Sequence, residues 1–365
     1  MIAEKCFKAE YIHSLRAEYG GDPILYEKCI HAFALLEYLS QSDIPFLFKG
    51  GTSLLLHLPN IRRLSIDIDI VSHVSGAELD MVVERIADIP PFLRSEESER
   101  GVRGLPTRRH FKLFYHSQVE NKESYVLLDV VEEDECVLVT EQKDISMEFL
   151  QMESLCQVTM PTVEALLGDK TTAFAPNTIG VPYVTDKGRS MTMQVVKQLF
   201  DIGELYNIAS DFDAVRIAFD ASCEMENKYR EEDYSREDVL QDIIETGLGI
   251  CAFSLKGAPS FDYENEVLDG VKRLKNHLVR DKFRMDREAK IAAAKAVLLA
   301  SSLLSGQALP FEIYTGSDEQ LEELKTAELT DLCLGYNRLK VVLPDAFFYL
   351  NKADMIIKTP MVMND

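Results

Sequence analysis

The chain has 365 residues, 46% of them hydrophobic and 27% charged, a profile of a folded globular protein with room for two domains rather than of a disordered one. Its net charge of −22 excludes broad, sequence-independent binding of nucleic acid, which draws on phosphate neutralisation, but leaves room for a local basic groove. No apolar run approaches the roughly 20 residues that span a bilayer.

The N-terminal stretch MIAEKCFKAEYIHSL interrupts its apolar residues with Glu4 and Glu10 and does not read as a signal peptide. Seven cysteines are scattered singly, without a C-x-x-C pair, which predicts reduced thiols, a cytoplasmic location and no structural zinc. Asp22-Pro23 predicts a helix start, with an N-cap followed by proline at the first helical position. Leu25, Cys29, Ile30, Phe33, Leu36 and Leu39 then recur at helical spacing, carrying that helix to about Ser40. Pro45 to Phe48 reads as a short buried strand, Gly50-Gly51 breaks it, and Thr52 to Leu56 reads as the first turn of another helix. Residues 63–72 alternate strictly and form the clearest strand of the sequence. A helix is expected at 76–87, then β-type stretches near 107–116, 124–132 and 136–140. Pro161 to Glu164 looks like a helix start leading into Ala165–Lys170.

Beyond a loop rich in Pro, Gly and Asn at 175–188 the pattern turns helical, at 190–208, 210–229, 235–246, 262–280 and 285–305, and stays largely so to about 340. The expected architecture is α+β: an N-terminal domain over 1–160 with a mixed sheet, then a mostly helical domain over 161–365. Between Val271 and Lys295 nine basic residues face three acidic ones, a local reversal in an acidic chain. It reads either as a solvated helix face or as a surface turned to RNA or nucleotide.

In the strand at 63–72, Ile66, Ile68 and Ile70 share one face, while Arg63, Ser65, Asp67 and Asp69 share the other. Two carboxylates about 7 Å apart on one strand face can converge on a hard cation. Magnesium held this way, bridging carboxylates to substrate phosphates, suits phosphoryl or nucleotidyl transfer. Just upstream, Lys49-Gly50-Gly51-Thr52-Ser53 stands at a strand-to-helix junction, where glycines let backbone N–H groups approach a phosphate.

Strand, Gly-Gly turn, short helix and a strand bearing Asp-x-Asp resemble the opening of the DNA polymerase β-like nucleotidyltransferase fold. KGGTSLLL followed by RRLSIDIDIV is similar to the K-G-G-T-x-L … R-x-S-x-D-x-D signature of the AbiEii/AbiGii-type nucleotidyltransferase toxins, which include the MenT group. EALLGDKTTAF resembles that family's E-x-L-x-x-D-K-x-x-A helix and KQLFDIGEL its K-D-L-x-D-L segment, so the resemblance covers the first 205 or so residues in blocks.

The resemblance implies that Asp67 and Asp69 bind Mg2+, that Ser65 lies beside the triphosphate, that Gly51 with Thr52 cradles phosphates and that Gly50 belongs to the nucleotide-binding residues. It further implies that Lys170 contacts phosphates, that Asp201 is an essential acid brought by the second domain, and that Lys49 and Arg63 belong to the nucleotide site. Enzymes of the polymerase β type add a third carboxylate from a later strand, for which Asp129 is the candidate. An acid in so apolar a strand is costly to bury unless something positive pairs with it. Two features depart from the family pattern: Gln198 stands where its first aspartate is usual, and 175–188 looks inserted.

The implied function is that of the toxin half of a toxin–antitoxin or phage-exclusion system, moving NMP from an NTP to an RNA acceptor, a tRNA 3′ end foremost. A cognate antitoxin protein is the implied partner, and no membrane is. Two other readings stay open: nucleotidyl or phosphoryl transfer to a protein, and an inactive nucleotide-binding module.

Overall fold

The computed structural model describes residues 1–74, 76–98, 107–133, 137–280 and 282–358. The chain divides into two compact units, Met1–Thr162 with Asn276–Asp281, and Val163–Lys275 with Lys282–Asp365. It is a mixed α+β protein, with its five-stranded sheet in the first unit and the second built of helices.

In the first unit, helices α1 (Ala9–Tyr19) and α2 (Pro23–Ser40) precede β1 (Leu47–Lys49), the single-turn α3 (Gly50–Ser53) and β2 (Asp67–Ser72). Helix α4 (Gly76–Ala87) and strands β3 (Phe92–Glu97), β4 (Thr107–Ser117), β5 (Lys122–Glu132), β6 (Thr140–Asp144) and β7 (Gln157–Pro161) follow. Asp22 caps α2 as its spacing predicts, accepting from Ile24 N–H at 2.9 Å with Pro23 at the first helical position. The helix buries Tyr26, Cys29, Ile30, Phe33, Leu36 and Leu39 and packs on β2 and β5.

The main sheet runs β1-β2-β5-β4-β3, with β2 and β5 parallel and the other neighbours antiparallel. β6 and β7 make a separate two-stranded sheet. The predicted strand at 136–140 begins outside the described residues, as does Cys136, and the described pairing starts at Thr140. Alternation along β2 is as predicted: Ile68 and Ile70 are buried, and Asp67 and Asp69 occupy the more open face. The strand itself starts at Asp67 rather than at residue 63. Upstream, residues 62–64 pair instead with the returning segment 276–281, through Leu64 N–H to His277 O (2.8 Å) and Val279 N–H to Arg62 O (2.9 Å). That segment is fixed further by Arg280, which ion-pairs with Glu148 and lies 4.2 Å over the Tyr19 ring.

The second unit comprises α5 (Val163–Ala173), α6 (Thr192–Tyr206), α7 (Phe212–Arg230), α8 (Arg236–Ala252), α9 (Glu264–Leu274) and α10 (Glu288–Ser305). α11 (Asp318–Thr326), α12 (Leu339–Val342) and α13 (Pro344–Lys358) complete it. Ser235 and Asp238 form a reciprocal capping box at the start of α8. Helix α10 is buried on all sides between α6, α8 and α13, which its run of alanines permits by letting three helices approach at once. The loop 175–188 is pinned to α8: the buried Asp242 accepts from Asn177 N–H (2.8 Å), Asn177 Nδ2 (2.7 Å) and Thr178 Oγ1 (3.0 Å).

No helix among the described residues is long and apolar enough to cross a membrane.

Candidate active site

The first unit sets four polar side chains in one row across its sheet. Lys49 on β1 is the register partner of Asp69 on β2, Asp69 of Asp129 on β5, and Asp129 of His110 on β4. Register partners in a pleated sheet project to the same side, so the row lies on the face that also carries Asp67. Hydrophobic neighbours along β5, Leu128 and Val130, point the other way into the core.

Asp129 has the positive-capable partner its apolar setting calls for. His110 Nδ1–H donates to Asp129 Oδ1 at 2.6 Å, with the two side chains 15% and 30% exposed. The scattered spacing of the seven histidines concealed this pairing. The apolar run of β5 broken by Asp129 signals half of it, but β4 is polar around His110, and only the antiparallel register joins the two.

Gly50 and Gly51 are small for a reason visible at atomic distance. Gly50 has φ +75°, and a Cβ there would lie 1.9 Å from Asp69 Oδ2. A Cβ on Gly51 would meet Arg63 Nη2 at 2.9 Å and Ser65 Oγ at 3.2 Å. The backbone of the turn therefore lies directly against the Asp69 carboxylate, the Arg63 guanidinium and the Ser65 hydroxyl. Arg63 is among the largest fully buried side chains of the protein. Thr52 is also buried, and its hydroxyl donates to the Asp67 carbonyl, tying the turn to the first residue of β2. Any phosphate contact at Thr52 thus falls to its backbone N–H. Since α3 is one turn long, a phosphate cradle here rests on local N–H groups more than on a helix dipole.

Lys170 on α5 and Asp201 on α6 come together in the second unit, Nζ to Oδ2 4.0 Å apart, both buried. Gln198, one turn before Asp201, keeps Oε1 buried without a hydrogen-bond partner among the described residues.

The family model for the nucleotidyl transferase AbiEii toxin of type IV toxin–antitoxin systems matches residues 34–296. The chain belongs to this family. No curated protein matches this AbiEii-family chain in sequence. Among solved structures it is similar to MenT4, a nucleotidyltransferase toxin from Mycobacterium tuberculosis H37Rv, at 15% identity and a TM-score of 0.49, covering 79% of this chain and 88% of that one. It is also similar to JHP933 from Helicobacter pylori, at 11% identity and a TM-score of 0.40, over 77% of this chain and 93% of that one. These likenesses are too remote to bear on mechanism. AbiEii membership makes the protein a nucleotidyltransferase toxin, a class of enzyme that generally works with a divalent metal.

The donor chemistry fits such a metal. Asp67 and Asp69 offer hard oxygens on one face beside a turn free of side chains, the mode in which magnesium takes one or two carboxylates and fills its shell with water and phosphate. Among the described residues no three carboxylate, imidazole or thiolate groups already converge into a closed cage. The nine basic residues of 271–295 do not form one exposed face. Lys290 and Lys295 are buried on α10, with Lys295 Nζ bonded to Gly203 O (3.3 Å) and Asn207 Oδ1 (2.5 Å). Arg273, Arg280, Arg284 and Arg287 are engaged by Asp269, Glu148, Glu288 and Asp345. These arginines stay exposed at the surface, as do Lys272, Lys275 and Lys282.

Proposed function

We propose that this toxin transfers NMP from an NTP to an RNA acceptor, a tRNA 3′ end foremost, with Mg2+ held by Asp67 and Asp69. The observation that carries the reading is the in-register row Lys49–Asp69–Asp129–His110 behind a Gly-Gly turn whose backbone touches the Asp69 carboxylate. When bound, the cation neutralises charge developing on the transferred phosphoryl group and on pyrophosphate. The chain's own part is placement. Asp67 and Asp69 hold the cation, with Asp129 as the third carboxylate. Gly50 and Gly51 let the backbone of the turn close on Asp69, Arg63 and Ser65 and offer its N–H groups to the triphosphate. The Lys49 ammonium and the Arg63 guanidinium supply fixed positive charge, and Ser65 offers a hydroxyl beside them. Lys170, as a phosphate contact, and Asp201, as an essential acid, enter through family resemblance. A cognate antitoxin is the expected partner.

The test is incubation with each labelled NTP, Mg2+ and total tRNA, comparing wild type with Asp67→Ala. Label should enter RNA with wild type and vanish with the variant, and omitting Mg2+ should have the same effect. Absence of transfer to any RNA or protein would sink the reading.

The net charge of −22, with Lys290 and Lys295 of the basic run buried on α10, favours a second acceptor class, a protein. Label recovered with protein and none with RNA would select it.

A further inference from the structure

His110 belongs to none of the sequence motifs that mark the site, yet it is the side chain that holds Asp129. An ionised carboxylate only accepts hydrogen bonds, so the imidazole proton sits on Nδ1 and is donated to Oδ1 over 2.6 Å. With 15% and 30% of the two side chains exposed, the bond is partly shielded from water, where charge-assisted bonds are short and strong. Fixing Oδ1 fixes the plane of the carboxylate and leaves Oδ2 as the oxygen open to another partner. Asp129 is flanked by Asp69 on the other side of β5, in direct register. Because Asp67, Asp69 and Asp129 do not already converge into a cage, the orientation of Asp129 decides whether a third oxygen joins the first two.

We infer that His110 is a positioning residue for the cation site, holding Asp129 so that its second oxygen serves as the third ligand beside Asp67 and Asp69. The inference rests on the proposed role of Asp129 as a ligand. Hydrogen-bond partners of ligating carboxylates set ligand orientation, and their loss lowers metal affinity by roughly 10- to 100-fold.

The experiment titrates the full-length chain with Mn2+ alone, without nucleotide, and follows free Mn2+ by electron paramagnetic resonance. Wild type is compared with His110→Ala, His110→Asn and Asp129→Ala, with melting temperatures recorded in parallel. Asparagine carries an amide nitrogen on Cγ, where histidine carries Nδ1, so it can keep the bond. The expected result is Mn2+ affinity lowered roughly 10- to 100-fold in His110→Ala, most of it restored in His110→Asn, and a loss in Asp129→Ala at least as large. Wild-type affinity in His110→Ala overturns the inference. So does tighter binding, which would mean that His110 competes with the cation for Asp129, and so does equal weakening in His110→Asn. Unchanged affinity in Asp129→Ala instead removes Asp129 from the ligand set, and no Mn2+ binding by wild type removes the cation site itself. Should His110→Ala fail to fold, His110→Asn against His110→Gln, which moves the donor one bond outward, makes the same comparison.

Discussion

Replacing Gly50 by alanine separates what the Gly-Gly turn does for the fold from what it does for the site. The new methyl group would sit 1.9 Å from Asp69 Oδ2, 2.6 Å from its Cγ and 2.8 Å from its Cβ, far inside contact distance. The obstacle is a side chain, so Asp69 can swing away, but only by leaving the position it holds in the row. The backbone penalty is separate: at φ +75° an L-residue with a Cβ costs about 1–2 kcal/mol relative to glycine. For a unit of this size that is a fall of roughly 2–8 °C in melting temperature. Calorimetry on Gly50→Ala should therefore show a folded protein with a modest shift, while transfer of labelled NMP falls to the level of Asp69→Ala. Near-wild-type transfer by a folded Gly50→Ala protein would refute the claim that this glycine exists to seat Asp69.

Asp201→Ala leaves the Lys170 ammonium buried without the carboxylate 4.0 Å away, and urea denaturation should show a loss of about 3–5 kcal/mol, much of it recovered when Lys170→Met is added. His31 is buried and stacked on Tyr115 at 3.6 Å, and burial pushes its pKa down from the ordinary 6.5 to about 4. With the folded-state pKa depressed, the unfolded chain binds the proton first. The stability is therefore fully present above pH 6.5 and is lost as pH falls toward 4, by up to about 3 kcal/mol. His31→Leu should flatten stability over that window, and a pH profile as steep as wild type would count against this assignment. If the acceptor is RNA, changing the exposed Lys272, Lys275 and Lys282 to glutamate together should reduce the salt slope of RNA binding by up to about 2 units, at roughly 0.7 for each single-strand phosphate no longer neutralised. Lys295→Met should leave that slope unchanged, because its ammonium is spent on Gly203 and Asn207.

Local chemistry carried much of the architecture in the sequence. The Asp22-Pro23 cap, the alternation around Ile68 and Ile70 and the helix at 76–87 are short-range signals, and the elements formed where they stand. Helix α1 and strands β3 and β7 lacked them, whereas α13 carries one, Pro344 at its first position. The six residues of β3, FLRSEE, are largely exposed and hold their place by pairing with β4, while β7 is five residues long. Within the site, the Asp67/Asp69 face follows from period two alone. The row from Lys49 to His110 does not, because it depends on which strands are neighbours and in what register. The return of 276–281 to the first unit is likewise a long-range pairing that no local pattern announces.

The basic run at 271–295 is divided by α10: Lys290 and Lys295 are buried there, while the other seven basic residues stay exposed. Charge counting assumes a helix with one wet side, and α10 has none: Ala292, Ala293, Ala296, Leu299 and Ala300 let neighbours close in around it. A lysine in such a helix can stay charged only if the interior supplies acceptors, which Gly203 O, Asn207 Oδ1 and, for Lys290, Phe253 O do. These cations therefore stabilise the helical unit from inside and are closed off from phosphate. What attracts an RNA acceptor has to come from the exposed basic residues of the run, Lys272, Arg273, Lys275, Lys282, Arg284 and Arg287 among them, or from other elements, and a protein acceptor would need no such field. The salt dependence of acceptor labelling separates the two, because it is steep for a phosphate backbone and shallow for a polypeptide.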